Sequence, residues 1–139
     1  MSFLDLQGKS FLVMGLANKR SVAYHVARAL LDEGANVLCG VRSEERRQSV
    51  AKLLPECEIF VCDVERDDEI ARLAAAVKAE HSVLHGLVHS IAFANYEGFS
   101  GKFHEVSRKD FLQCVSVSCY SFVALANALK DCLDTVASA

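Results

Sequence analysis

The sequence predicts an α/β fold: an open, doubly wound parallel sheet with helices on both faces and four strands in the order 3-2-1-4, in one domain over residues 1–139. Two observations carry that expectation. Short apolar runs of strand length alternate with segments whose apolar residues recur at helical spacing. The connections between successive strands are long enough for a helix, which calls for parallel strands joined by right-handed crossovers. The composition agrees with a packed domain: 52% apolar and 24% charged residues, one proline and seven glycines.

The elements follow in order. Ser10–Met14 reads as a buried parallel strand ended by Gly15. Val22, Ala23, Val26, Ala27, Leu30 and Leu31 then repeat with helical period, with Ser21 at the N-cap position and Gly34 just past the end. Asn36–Val41 is the second strand, and a charged helical segment runs from about Glu44 to Leu54. Glu58–Cys62 is the third strand, ending at Asp63. Ile70, Leu73, Ala74 and Val77 fall at i, i+3, i+4 and i+7, the mark of an amphipathic helix. His85–Ser90 is the fourth strand, and a helical pattern from about Arg108 to Leu133 follows. The stretch Phe93–Ser107 lacks clear periodicity and follows the fourth strand directly, so it is a candidate substrate cover or a plain surface excursion.

Bulk properties narrow the function classes. A net charge of −3 gives no basic surface for nucleic acid or an anionic membrane, so neither is expected as a partner. The uninterrupted apolar runs are strand-sized, below the roughly 20 residues of a membrane helix. The start, MSFLDLQGKS, lacks a basic region followed by a long apolar core, so no secretory signal is expected. Cys39, Cys57, Cys62, Cys114, Cys119 and Cys132 lie in or beside apolar segments without C-x-x-C spacing, which reads as free buried thiols in a cytoplasmic protein.

Four short stretches close the four strands at their carboxyl ends: GLANKRS, VRSEER, CDV and HSIAFAN. In such sheets ligands bind beyond those ends, so the four belong together. Gly15 either makes an ordinary turn or lets backbone approach a phosphate, with Ser21 and the Val22 amide at the positive end of a helix. Arg42 replaces the acid often found at the tip of the second strand. Its guanidinium can stack on adenine or accept a ribose 2′-phosphate, with Arg46 and Arg47 helping and Glu44 and Glu45 diluting the positive field. Asp63 either accepts from an adenine amino group, beside the Val64 amide, or caps the turn into the next helix. Ser90, Ile91 and Ala92 offer backbone and small side chains where a nicotinamide ribose would lie. The expectation is a Rossmann-like nucleotide-binding domain.

VMGLANKRSVAY, CDV, HSIAFAN and KFHEVSRKDFLQCVSVSCYSFVALANALK closely resemble the enoyl-acyl-carrier-protein reductases of bacterial fatty-acid synthesis, a divergent branch of the short-chain dehydrogenase/reductases. The patterns G-x-A-x-K-x-S-[IV]-A and S-I-[AG]-F-A carry the resemblance, which covers essentially the whole chain. It implies that Gly15, Ser21 and Val22 bind the pyrophosphate side of NADH or NADPH, with NADH the default. It places Arg42 as the adenosine-ribose reader, Asp63 and Val64 at adenine, and Ile91 toward nicotinamide, beside Ser90 and Ala92. Ala94 would touch the acyl substrate. The resemblance also implies a homotetramer that reduces a trans-2-enoyl thioester held on acyl carrier protein, with hydride delivered to the β-carbon and the enolate then protonated.

The family's catalytic Tyr-x6-Lys pattern has no match here. Tyr24, Tyr96 and Tyr120 are the only tyrosines, and none has a lysine at that spacing. No catalytic residue is therefore assigned within the chain, which is expected to be a cofactor-binding half truncated near Thr135-Val136-Ala137-Ser138-Ala139, where the next core strand should begin. A short-chain dehydrogenase acting on an alcohol or ketone is the first alternative, and S-I-A-F-A in place of N-A-G argues against it. A non-catalytic nucleotide-binding module is the second. His85 and His89 share a strand face but sit roughly 13 Å apart at ~3.3 Å per residue, so no metal site is expected. Cys114 and Cys119 fit the apolar pattern of the last helix and are not read as nucleophiles.

Overall fold

The computed structural model describes residues 4–99 and 101–133. Ser10–Met14 forms β1, Asn36–Val41 forms β2, Glu58–Val61 forms β3 and Gly86–His89 forms β4. They pair in parallel in the order β3-β2-β1-β4, as expected. Register aligns Val13 with Cys39 and Val88, and Gly40 with Phe60, so the four carboxyl ends finish side by side.

Alternation along the strands divides the core into two layers. Leu12, Met14 and Leu38 face Ile70, Leu73, Ala74 and Val77 of helix α3 (Asp67–Glu80). Leu125 and Leu129 of helix α5 (Ser121–Leu129) close the same layer. Val13, Val37, Cys39 and Val41 face Ala23 and Ala27 of α1 (Val22–Asp32) and Val50 of α2 (Glu44–Leu53). Helices therefore cover both faces. α1 ends where Gly34 takes a φ of +80°, a conformation that costs glycine little. α2 starts on Ser43, whose hydroxyl accepts from the Arg46 amide at 3.3 Å.

The last helical run is one rod with a change of pitch: α4 (Arg108–Val115), a π-helical turn (Ser116–Tyr120), then α5. Val117, Ser121, Leu125 and Leu129 recur every four residues and are buried. Phe111, Leu112, Val115, Tyr120, Phe122 and Val123 are exposed. Beyond α5 the chain turns back, and Leu133 bridges in parallel to Leu84, whose amide donates to the Cys132 carbonyl. The expected fifth strand falls at residues 135–139, outside the described residues.

One expectation, that all six thiols are buried, needs correction, and two others gain detail. Arg108–Leu129, at 22 residues, is long and apolar enough to cross a membrane by length and composition, although no uninterrupted apolar run is. Its serines and cysteines break the run without breaking the helix, and its buried stripe lies on the sheet. Cys119 is exposed, because it lies off that stripe; Cys57 and Cys114 are half-buried, while Cys39, Cys62 and Cys132 are buried. The Ser21 backbone stands at the N-cap of α1, but its hydroxyl donates back to the Asn18 carbonyl at 2.6 Å instead of capping the helix.

Candidate functional site

The four strand ends enclose a cavity of about 290 Å³. Gly15, Leu16 and Ala17 line it from β1, Gly40, Val41 and Arg42 from β2, Cys62 to Glu65 from β3, and Ser90 to Phe93 from β4. Met14, Arg46 and Val117 complete it. Of the residues singled out in the sequence, Gly15, Arg42, Asp63, Val64, Ser90, Ile91 and Ala92 thus come together. Ser21 and Val22 stand outside the lining, one turn along at the start of α1, and Val22 is exposed.

Gly15 has a reason for being glycine that its sequence context does not reveal. Its φ is +100°, and a Cβ there would fall 2.1 Å from the Ser90 carbonyl oxygen. The close approach is between two strand ends, and a ligand is not needed to explain it. Gly40 likewise leaves room for Met14, whose Sδ would lie 2.1 Å from an added Cβ.

Arg42 is not a free cation. Its Nε lies 3.8 Å from Asp63 Oδ2 and its Nη2 3.4 Å from Glu65 Oε2. Its guanidinium carbon sits 5.6 Å from the centre of the Phe93 ring, a cation–π arrangement. Glu65 is in turn gripped by Gln113 Nε2 at 2.9 Å, which ties the end of β3 to α4. Asp63 folds its own turn: its Oδ1 accepts from the Glu65 amide at 3.1 Å, and its amide donates to Glu69 Oε2 at 2.7 Å. The turn-capping reading of Asp63 is therefore realised, and its Oδ2 still faces the cavity side where Arg42 lies. Cys62 at the cavity floor is inert: burial, with the Glu69 and Asp63 carboxylates, pushes its thiol up to about 12.

Glu65, Phe93 and Gln113 are neighbours around Arg42 that sequence reasoning missed. Only their place in the chain, immediately after CDV and HSIA, hints at the first two. Gln113 carries no local signal.

A second, mainly apolar cavity of about 360 Å³ lies beyond β4. Ala94, Asn95, Tyr96, Phe99, Val106 and Phe111 are among its walls. Ala94 is thus placed apart from the other selected residues, one residue past the Phe93 partition. Each histidine of β4 and its approach has its own partner: His85 Nδ1 accepts from the Ser10 amide at 3.0 Å, and His89 Nε2 lies 2.8 Å from the Ser121 hydroxyl. Among the described residues no three His, Cys, Asp or Glu side chains converge as metal ligands.

The donor set suits a dinucleotide: a cation and a carboxylate at the β2 and β3 tips, and small residues with exposed backbone at the β1 and β4 tips. Strand order and crevice together define a protein of the Rossmann-like class. Residues 15–139 match the family described as enoyl-(acyl carrier protein) reductase, and the chain belongs to that family. It is 40% identical over 130 residues to the NADH-dependent FabI enoyl-[acyl-carrier-protein] reductase of Enterococcus faecalis, covering 93% of this chain and 52% of the relative. It is 37% identical over 132 residues to the NADPH-dependent FabI of Staphylococcus aureus, covering 91% and 52%. Among solved structures, the Bacillus cereus enoyl-acyl carrier protein reductase with NADP+ and indole naphthyridinone superposes with a TM-score of 0.87 at 36% identity, covering 92% of this chain and 52% of that one. The chain spans about half the length of the curated relatives it matches.

Proposed function

We propose that residues 1–139 are the nucleotide-binding domain, and the cofactor-binding half, of an enzyme that reduces trans-2-enoyl-acyl-carrier-protein to acyl-acyl-carrier-protein in fatty-acid elongation. The observation that carries this reading is convergence: seven residues chosen from four separate strand ends line one cavity. NADH is the cofactor, with NADPH the alternative; the relatives above divide between the two.

Bound in the crevice, a reduced nicotinamide would supply the hydride for the enoyl β-carbon. The chain's own residues bind and orient. Gly15, with Ser21 and Val22 just outside the lining at the α1 N-terminus, would hold the pyrophosphate side. Arg42 would hold the adenosine ribose, and Asp63 with Val64 the adenine. Ser90, Ile91 and Ala92 support the nicotinamide half. Ala94 faces the acyl chain, for which the apolar cavity provides a dry wall. The proton for the enolate comes from a group outside these residues, since no tyrosine here has a lysine at the family's spacing. The apolar face of α4 and α5 fits assembly into a homotetramer, and the charge and cysteine content fit the cytoplasm.

The test is NADH oxidation with a short trans-2-enoyl thioester, comparing the full-length gene product with residues 1–139. The reading expects turnover by the former and none by the latter. Reduction of a ketone in preference to the enoyl thioester, or turnover by the short chain, overturns it.

A further inference from the structure

We infer that Ser118 is a positioning residue that holds the Phe93 peptide as the partition between the crevice at the strand ends and the apolar cavity beyond β4. The inference rests on the function proposed above, and its evidence is geometric.

β4 leaves the sheet at Ser90, whose amide makes the last ladder bond, to the Met14 carbonyl at 3.1 Å. The chain beyond it needs other partners for its peptide groups. Ser118 supplies both for one residue: the Phe93 amide donates to Ser118 Oγ at 3.0 Å, and the same hydroxyl donates to the Phe93 carbonyl at 3.2 Å. A hydroxyl has one proton and two lone pairs, and Cys114 Sγ lies 4.0 Å from the same oxygen. The hydroxyl thus acts as the missing strand neighbour.

Ser118 occupies the π-helical turn, a geometry that is rare and gathers at functional sites. Its neighbours set its place: Val117 lines the crevice, and Cys114, one turn back, lines the apolar cavity. Phe93 lines the crevice and meets Arg42 through its ring, while Ala94 lines the other cavity. Two residues on, Asn95 Nδ2 donates to Asp110 Oδ1 at 3.0 Å. The arch from Phe93 to Asn95 is therefore held at both ends by one helical rod, with Ala94 between the clasps. Releasing the Phe93 clasp loosens a segment whose successive residues, Phe93 and Ala94, line the two cavities, so cofactor and enoyl binding should weaken together.

The experiment uses the full-length gene product with NADH and crotonyl thioester, in wild type, Ser118→Ala and Ser118→Thr. Ser118→Ala should raise KM for both ligands about tenfold and speed hydrogen exchange at the Phe93 amide, and Ser118→Thr should restore both. A residue that only stabilised the fold would lower the melting temperature and leave both KM values in place. Should Ser118→Ala not fold, Ser118→Cys carries the same comparison, keeping the volume with a far weaker hydrogen-bonding group. Wild type that neither binds NADH nor reduces the thioester overturns the proposed function. Wild type that does both, with unchanged KM values in the folded Ser118 variant, overturns the role of Ser118 alone.

Discussion

Gly15 and Ser90 meet backbone to backbone: a methyl group on Gly15 would overlap the Ser90 carbonyl, with its Cβ 2.1 Å from the oxygen. This contact joins the β1 tip to the β4 tip and sets the width of the crevice between them. Gly15→Ala adds that overlap to a φ of +100°, which disfavours any residue with a side chain. We expect a loss of about 2–4 kcal/mol in unfolding free energy, read from the denaturant midpoint, together with lost NADH binding. An unchanged midpoint would show that the two tips are not locked.

Cofactor choice depends on how Arg42 is neutralised. Two carboxylates, Asp63 and Glu65, face it, and Arg46 adds one more positive charge to the lining. Charges of both signs therefore balance where a 2′-phosphate would sit, and the account expects NADH to be preferred. Glu65→Gln leaves Arg42 freer for a phosphate and should move the kcat/KM ratio toward NADPH by about fivefold to tenfold. Arg42→Gln should leave the NADH preference standing. A wild-type preference for NADPH that Arg42→Gln abolishes would reverse this assignment.

His89 makes stability pH-dependent. Ser121 spends its proton on the Val117 carbonyl at 2.7 Å, so its oxygen accepts from His89 Nε2–H. Burial lowers the His89 pKa below its ordinary value of about 6.5, so the folded protein favours the neutral ring. As pH falls the unfolded chain takes up this proton first. The contribution is full above about pH 6.5 and declines as pH falls below it. His89→Gln should lessen the drop in melting temperature between about pH 7.5 and about pH 5.5. An identical drop in both proteins would remove His89 as its source.

Expressed alone, residues 1–139 should self-associate. Phe111, Leu112, Val115, Tyr120, Phe122 and Val123 are exposed on one helical rod, and β4 is an edge strand without proline or lysine. Each such side chain is worth about 1.5–3 kcal/mol when buried, against about 5–15 kcal/mol for a whole domain. Sedimentation velocity should show concentration-dependent species. A monodisperse monomer with a cooperative, high melting transition would show that these faces need no cover.

The fold was legible because each element declares its period. Leu12, Val13 and Met14 read as a continuous apolar run because both faces of β1 are covered, and Ile70, Leu73, Ala74 and Val77 all turn inward as their spacing requires. The strand tips were legible through Gly15, Arg42, Asp63 and Ile91. What stayed hidden were relations between distant residues. Nothing near Gly15 points to Ser90, 75 positions away, and nothing near Phe93 points to Ser118. The π-helical turn has no periodic signature, and Cys119 looks like core until that turn sets which face it occupies.

The central claim is that one dinucleotide lies across the four strand ends. Titrating the isotope-labelled full-length gene product with NADH, and following backbone amide resonances, tests it most directly. The account predicts saturable shifts concentrated at Gly15, Val22, Arg42, Val64 and Ile91, with the β-strand interiors and the far ends of α1 and α3 unmoved. Saturable binding with shifts elsewhere, or no binding at all, would contradict it.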